Sequence, residues 1–567
     1  MIDVIYDGTY LNARLNSRNY KAILQIAEQA EYSEYLHSVG VMSLPPTKFI
    51  ARQLFELGLV FDGSAKIFLD KAVKKEPEQK FNFRVFAPLE LRPYQEEGVG
   101  WLCSHSDHLL LGDEMGLGKS VQIAAYLHFT QSFPTLIVCP ASLKLNWEKE
   151  INLWTKQKCQ VLEGLIPYPI EEFLTTHPVV IINYDILGRK DKAEIAQDEK
   201  RIKEAKKRKL PFRRKRIPAR GWIDILKTIP FKNIICDESQ FIGKESTART
   251  TAIVDLCRQL KKARRIFLSG TPYTAATEQF FTTLNLISHR LFPNRWRYKM
   301  QFCDPVKTPF GWDFRGLSNG DQLHNLVKGI MLRRLKKDVM KDLPPKVKVI
   351  VPMKVDPVYF QQYAKIEREL LDGVIKDEKQ TYHTLRQQVY YTKIEACCVW
   401  IKEYFVSQDK LVVFCYHREA FRDLMNKFKS IAVGINGETP SNQRQGIVER
   451  FQKDKKVKLF IGQIRAAGVG ITLPAAPATC FIEFGDTAAE HLQGEDRVHR
   501  ETQTADSVMA FYLIAPNTID EDAIERIKTG YANQKQVLDG EKNAQFIADT
   551  PSNFARGVLK SRQAKLK

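Results

Sequence analysis

The segment Asp113-Glu-Met-Gly-Leu-Gly-Lys-Ser120 sets two glycines, a lysine and a serine between an apolar run and a helical pattern. Gly116 and Gly118 would let backbone N–H groups turn inward around β- and γ-phosphates. Lys119 would add a point charge, Ser120 a hydroxyl ligand for Mg²⁺, and the helix expected from Val121 its positive end. A strict phosphate-loop pattern has Gly at the position of Asp113, and an ordinary Gly-rich turn is the competing reading. A second run, Ile234-Ile-Cys-Asp-Glu-Ser-Gln240, ends in adjacent carboxylates. There Asp237 could hold the Mg²⁺ shell and Glu238 polarise an attacking water. Alone, such a pair is more often a solvated strand end; downstream of a phosphate loop the hydrolytic reading prevails. In Gln493-Gly-Glu-Asp-Arg-Val-His-Arg500, a helix would place Gln493, Arg497 and Arg500 on one face, two guanidiniums offered to transition-state charge. A mixed-charge surface helix is the plainer alternative. The small hydroxyls of Leu268-Ser-Gly-Thr-Pro272 suit a hinge, or simply a turn.

These segments need strands that end in loops. Leu109–Leu111, Leu136–Cys139, Val179–Ile182, Ile234–Cys236 and Ile266–Leu268 are short apolar runs alternating with helical patterns, the form of a parallel α/β sheet. The alternation returns in Val347–Val351, Leu411–Phe414, Ala432–Ile435, Leu459–Ile461, Cys480–Phe484 and Met509–Leu513. Two α/β lobes joined by a basic helical segment are therefore expected. Ligands of such sheets bind beyond the strands' carboxyl ends. Ahead of them, helical spacing over Tyr20–Leu36 and Thr47–Leu57 and a strand-like Val60–Leu69 suggest a small mixed module, followed by a Lys-rich linker over Lys71–Lys80. The expected domains are 1–88, an accessory module; 89–290, the first lobe, with a basic insertion at 189–220; 291–345, a basic helical linker; 346–545, the second lobe; and 546–567, a basic tail.

The 567 residues carry 86 Lys and Arg against 66 Asp and Glu, a net charge of +20. Residues 189–220 hold 15 basic and 5 acidic side chains, 328–348 hold 8 and 2, and 541–567 hold 6 and 2, which together account for the whole excess. Such concentration suits phosphate contact better than a uniformly solvated surface. The longest apolar runs are far short of the ~20 residues a bilayer span needs, and no secretory signal is visible at the start. None of the ten cysteines forms a CxxC or His/Cys zinc spacing. Cys139, Cys236 and Cys415 read as small core residues in a reducing compartment, without structural metal.

The order of the segments resembles the Swi/Snf-type, helicase-like ATPases of helicase superfamily two, from Leu91 to about Asp522. Leu91-Arg-Pro-Tyr-Gln95 looks like the adenine-recognising entry motif. Asp113–Ser120 is close to that family's own phosphate loop, where the Asp is normal. Val138–Leu143 with Trp147, and Ile182–Asp185, look like motifs Ia and Ib/Ic. Asp237–Gln240, Ser269–Pro272, Val413–His417, Ala467–Thr472 and Gln493–Arg500 look like motifs II to VI. Within the family, Phe302-Cys-Asp-Pro305, Gly311–Asn319, Met331–Val339 and Leu343–Lys346 are similar to a stretch of the HARP-type annealing helicases and their phage and bacterial relatives. Two departures stand out: Phe484-Gly-Asp-Thr-Ala488 where the family has Trp-Asn-Pro, and His499-Arg-Glu-Thr-Gln503 where it has His-Arg-Ile-Gly-Gln.

The resemblance implies two RecA-like parallel-sheet lobes with helical protrusions behind a small α+β module. It implies ATP with Mg²⁺, and translocation along double-stranded DNA that anneals or remodels branches with little net unwinding. A nucleosome remodeller and a catalytically weak DNA scaffold are the alternatives. Carried over residue by residue, catalysis falls to Lys119, Asp237, Glu238, Arg497 and Arg500, and the metal to Ser120 and Asp237. Nucleotide contacts fall to Arg92, Gln95, Asp113, Glu114, Met115, Gly116, Leu117, Gly118, Lys119, Ser120, Gly470 and Gln493. DNA contacts are expected at Ser142, Lys144, Asn146, Lys244, Ser246, Arg249, His417, Arg444 and Thr472, and from Arg213, Arg214, Lys215 and Arg216 in the insertion. A monomer without membrane attachment is expected, partnered by single-strand-binding or recombination proteins. It would be cytoplasmic and nucleoid-associated or in a phage-infected cell, or nuclear in a eukaryote.

Overall fold

In the computed structural model the described residues run from Val4 to Phe546, except 7–10, 16–18, 30–33, 37–40, 45–49, 51–53, 55–56, 58, 61–80, 84–88, 106, 209–216, 275, 309–310, 373–377 and 468–469. The chain forms two compact units. The first comprises Met1–Gly112, Gly118–Pro272 and Glu278–Arg333; the second comprises Asp113–Leu117, Tyr273–Thr277 and Arg334–Lys567.

The first unit is built on a seven-stranded, all-parallel sheet. Its spatial order is Met331–Leu332, Leu109–Leu111, Arg264–Leu268, Asn233–Asp237, Thr135–Cys139, Val179–Asn183 and Cys159–Val161. Five of these strands are the apolar runs expected above. They are buried throughout or nearly so, as strands covered on both faces must be. Cys159–Val161 and Met331–Leu332 were not foreseen. Both are short edge strands with too few apolar residues to make a pattern of their own. The loops that carry the motifs leave the carboxyl ends of Leu109–Leu111, Asn233–Asp237 and Arg264–Leu268, which are neighbours in register, with Asp237 opposite Leu268 and Leu268 opposite Leu111.

The same unit holds the N-terminal module, an antiparallel sheet in the order Val4–Tyr6, Leu11–Arg14, Val41–Leu44, Glu34–Leu36, with a helix at Tyr20–Gln29. The helix expected to reach Leu36 stops at Gln29, because Glu34–Leu36 pairs as a strand with Val41–Leu44. The expected helix Thr47–Leu57, strand Val60–Leu69 and linker Lys71–Lys80 lie largely outside the described residues. The basic insertion stands on a two-stranded foot, Arg189–Lys190 against Ala219–Arg220, and carries the helix Lys192–Lys207. Arg213–Arg216 lie outside the described residues.

The second unit holds a six-stranded parallel sheet in the order Lys346–Pro352, Val508–Ile514, Ala478–Phe481, Leu411–Cys415, Leu459–Gln463, Ala432–Ile435. All six expected strands are present, but the one placed at Cys480–Phe484 runs over Ala478–Phe481. One core lies around Phe414, Phe460, Phe481 and Tyr512, another around Cys397, Ile401, Val413 and Leu513 against the long helix Glu378–Tyr404. Cys139, Cys236 and Cys415 are buried thiols, as their apolar settings suggested. Among the described residues no helix is long and apolar enough to cross a membrane.

The segment 328–348 is not a continuous basic helix. It gives the strand Met331–Leu332, a four-residue helix Lys336–Val339 and the start of the strand Lys346–Pro352.

Candidate active site

In the first unit, the helix Lys119–Thr130 begins directly after Gly118, which occupies the N-cap in a left-handed conformation (φ 70°). A glycine cap has no side-chain oxygen to offer the first-turn N–H groups, so the helix start suits an external anion. Gln95 braces this point. Its Oε1 accepts the Arg92 N–H at 3.0 Å, closing the start of the helix Pro93–Ser104, and its Nε2 occupies the space a Gly118 side chain would need. Arg92 and Gln95 are thus placed beside the loop.

Asp237 ends its strand buried. Its Oδ2 accepts the Trp147 indole N–H at 2.8 Å, its Oδ1 accepts the Glu238 N–H at 2.9 Å, and its backbone carbonyl accepts the Tyr184 hydroxyl at 2.7 Å. Burial, and next the adjacent Glu238 carboxylate, push the Asp237 pKa up to about 7, against the Trp147 N–H and the Lys119 charge. A buried carboxylate held this way is relieved by a cation, so the donor set fits Mg²⁺. Among the described residues there is no cluster of three His, Cys, Asp or Glu for a metal. A Mg²⁺ ion there would depend on Asp237, the Ser120 hydroxyl, water and phosphate oxygens, the usual arrangement for Mg²⁺ on a nucleotide.

Glu238 has φ 52°, a left-handed conformation rare for a side chain of its size. Its Oε2 accepts Gln240 Nε2 at 2.7 Å, Gln240 Oε1 accepts the Ser269 hydroxyl at 2.7 Å, and Ser269 Oγ accepts the Thr271 N–H at 3.0 Å. The acid pair and the Ser-Gly-Thr-Pro loop are therefore wired through one amide. Trp147, Tyr184 and Gln240 were not assigned site roles from the sequence, although each stands in or beside a motif.

In the second unit, Asp113 is wholly buried and holds Arg334 by its backbone N–H (3.1 Å), Nε (3.0 Å) and Nη2 (2.5 Å). Glu114 Oε2 accepts the Lys336 N–H at 2.7 Å. Both carboxylates thus anchor the loop. Met115 and Leu117 are buried apolar anchors of the same loop. Gly116 (φ 88°) is exposed, and a Cβ there would come within 2.8 Å of Arg500 Nη1 and 3.1 Å of Lys336 Cε.

Gln493, Arg497 and Arg500 do not share a helix face. The helix Ala488–Glu495 ends before the two arginines, and its N-terminus is set by a capping box between Thr487 and Glu490. The departure Phe484–Ala488 thus has a local use: Gly485 leaves room for Glu490, and Asp486 receives Arg386 and Arg465, each at 2.6 Å. Arg497, 5% exposed, donates through Nε to the Gln493 carbonyl and through Nη1 to the Ile471 carbonyl, both at 2.8 Å. It ties the Gly470–Thr472 loop to the end of the helix. Gly470 itself has φ 80°.

Behind Arg500 lies a buried ionic cluster. Lys336 Nζ is 2.7 Å from Asp496 and donates to the His499 carbonyl at 2.9 Å. Lys346 is 2.8 Å from Glu495 and Lys348 3.3 Å from it, and Tyr512 donates to Glu495 at 2.7 Å. Burial lowers the Lys336 pKa to about 8 against the pull of Asp496. Glu495 sits at about 2, because Lys346 and Lys348 outweigh its burial. Much of the basic charge at 328–348 is therefore neutralised inside the unit.

Several expected DNA contacts are engaged elsewhere. His417 is 7% exposed, with Nδ1 2.5 Å from Glu483. Arg444 donates to the carbonyls of Thr439, Ala466 and Asn436. Lys144 donates to the Leu162 carbonyl at 2.9 Å, and Arg249 lies 3.6 Å from Asp185 and over the Phe241 ring. A donor already satisfied by its own fold is a poor phosphate ligand. Asn146, Lys244, Ser246 and Thr472 are exposed, and Ser142 is partly so.

The SNF2-related domain family matches residues 94–399. This chain belongs to the SNF2-related family. The helicase conserved C-terminal domain matches residues 392–502. The Caenorhabditis elegans homolog of SWI/SNF-related matrix-associated actin-dependent regulator of chromatin subfamily A-like protein 1 is 32% identical over 447 residues, 76% of this chain and 59% of its own. The mouse (Mus musculus) DNA annealing helicase and endonuclease ZRANB3 is 30% identical over 455 residues, 77% of this chain and 40% of its own. The chain thus spans only about half the length of these relatives. The Sulfolobus solfataricus SWI2/SNF2 ATPase core in complex with dsDNA aligns over 80% of this chain and 97% of its own, at 19% identity and a TM-score of 0.34.

Proposed function

We propose that the chain is a DNA-dependent ATPase that translocates on double-stranded DNA and anneals or remodels branched DNA, with little net unwinding. The observation that carries the reading is Asp237, whose buried carboxylate accepts the Trp147 N–H and whose backbone carbonyl accepts the Tyr184 hydroxyl, beside Glu238, in a SNF2-related chain whose phosphate-loop helix starts at a glycine cap. One relative is named a DNA annealing helicase, which supports the annealing part.

Lys119 and the helix start would bind phosphate, Ser120 and Asp237 the Mg²⁺, and Arg92 and Gln95 the base. ATP supplies the bond to be cleaved. Glu238 would orient and polarise the attacking water, Arg500 would meet charge on the transferring phosphoryl, and Arg497 would hold the loop and helix end that position it. Exposed Asn146, Lys244 and Thr472, with Ser142 and the basic Arg213–Arg216, would contact DNA phosphates. The domain limits 1–88, 89–290, 291–345, 346–545 and 546–567 belong to the same reading.

ATP hydrolysis measured alone and with duplex, forked and single-stranded DNA tests it, followed by annealing and fork regression. DNA-stimulated turnover that disappears in Lys119→Ala is expected. Turnover indifferent to DNA would overturn the reading.

A further inference from the structure

The residues 302–305 and 311–319, singled out by the sequence, have no part in the site above. In the first unit they build a small projection. The helix Arg295–Phe302 leads into a hairpin, Val306–Thr308 paired with Gly311–Asp313, in which Lys307 opposes Trp312. The base is rigid. Asp304 takes φ 43° and its N–H reaches Ser318 Oγ at 3.1 Å, while Ser318 and Asn319 both donate to the Gln301 carbonyl, at 2.9 and 2.7 Å. Residue 316 must be glycine, since a Cβ there would lie 2.6 Å from the Asp304 Cβ.

A two-stranded hairpin is not stable by itself; this one rests on the buried Phe314, whose ring lies 5.6 Å from Trp296 and 6.2 Å from Trp312. Phe314 is the ring the fold needs. Trp296 and Trp312 meet edge to face at 6.2 Å, yet they remain 53% and 43% exposed. Residues 290–315 carry six basic side chains and two acidic ones; Lys307, opposite Trp312, and Arg297, next to Trp296 on the helix, are exposed, while the Arg315 guanidinium is held by Asp313. An apolar protein surface would gain little from this cationic surround. Nucleic acid matches both features, because bases stack on indole faces while phosphates meet the cations.

We propose that Trp296 and Trp312 form a stacking face for unpaired bases of a DNA strand at a branch, with Arg297 and Lys307 drawing in the phosphates. This rests on the reading of the chain as a DNA motor and adds a means of telling an open branch from a closed one. Trp296 on the helix and Trp312 on the hairpin would hold one or two bases, and the duplex track would not need them.

The test uses the full chain without nucleotide. It compares binding to a fork with an unpaired stretch at the branch, a fully paired fork and plain duplex, at matched salt. The wild-type chain should prefer the unpaired fork. The double variant Trp296→Ala/Trp312→Ala should lose about tenfold on that fork, the scale of one or two stacked bases. Its binding to paired DNA and the salt slope should hold. Trp296→Tyr/Trp312→Tyr, which keeps aromatic faces, should retain the preference. A wild-type chain with no preference, an alanine variant that keeps it, or equal weakening on all three DNAs would each overturn the stacking face while leaving the motor reading intact. Failure of the wild-type chain to bind any DNA would overturn both.

Discussion

Lys336 Nζ and Asp496 Oδ2 lie 2.7 Å apart, and both side chains are almost completely withdrawn from water. Removing one member leaves a buried, unpaired charge, which costs about 3–5 kcal/mol, whereas replacing both by apolar groups is often close to neutral. Lys336→Met should therefore destabilise the protein strongly, and Lys336→Met/Asp496→Leu should recover most of the loss. Urea unfolding of the two variants measures this, and equal losses would show that the pair is not the source.

Glu238 holds a left-handed backbone conformation at the end of an otherwise regular strand. Strain of about 1–3 kcal/mol stored at one residue is characteristic of functional sites. Glu238→Gly should gain roughly 1 kcal/mol of stability and lose ATP hydrolysis. Glu238→Gln, whose amide oxygen can still accept from Gln240, should keep wild-type stability and lose turnover by about a hundredfold or more. Thermal unfolding alongside steady-state hydrolysis separates the two effects.

Gln240 joins Glu238 to Ser269 through two 2.7 Å hydrogen bonds. Gln240→Ala removes the link without touching Asp237, Trp147 or Lys119. Loss of positioning alone costs up to about a hundredfold in rate. The expected result is slower DNA-stimulated hydrolysis, with DNA affinity and the KM for ATP little changed. A matching defect in Ser269→Ala would place both residues on one path, whereas an ATP-binding defect would argue against it.

His491 and His499 are buried in the second unit. Burial, the leading cause, brings their pKa values down to about 3 and about 4; Lys346 and Lys336 add to the effect at His499, while Glu495 partly opposes it at His491. His491 Nε2 accepts the Gly485 N–H at 3.0 Å, which requires the neutral ring. Below about pH 6.5 the unfolded chain takes up protons that the folded chain refuses, so stability is complete above that pH and falls as pH drops toward 4. Glu495, held at about 2, extends the loss below pH 4.5. His491→Gln, able to accept from Gly485 through its amide oxygen, should flatten the decline between pH 6.5 and 4 in urea titrations. An unchanged decline would assign it to other groups.

The amino-acid order by itself determined where most strands of both lobes lie, since buried parallel strands are nearly continuous apolar runs; the edge strands Cys159–Val161 and Met331–Leu332 were beyond it. It also marked Gly116–Ser120 and Asp237–Glu238 as the candidate site, since phosphate loops and strand-end acids are local patterns. Tertiary structure alone decided which charges remain for ligands. Arg334 is spent on Asp113, Lys336 on Asp496, and Lys346 and Lys348 on Glu495, and the His417 ring nitrogen is taken up in a hydrogen bond to Glu483, across separations of 66 to 221 positions where the sequence shows no local pattern. It decided that Arg497 ties down a loop while Arg500 lies against Gly116, because the helix ends at Glu495. It also showed that Trp147 holds Asp237 from 90 positions away. The physical reason is the same in each case: a side chain's charge or hydrogen bond goes to whatever the fold buries beside it, and burial is a property of the assembled chain.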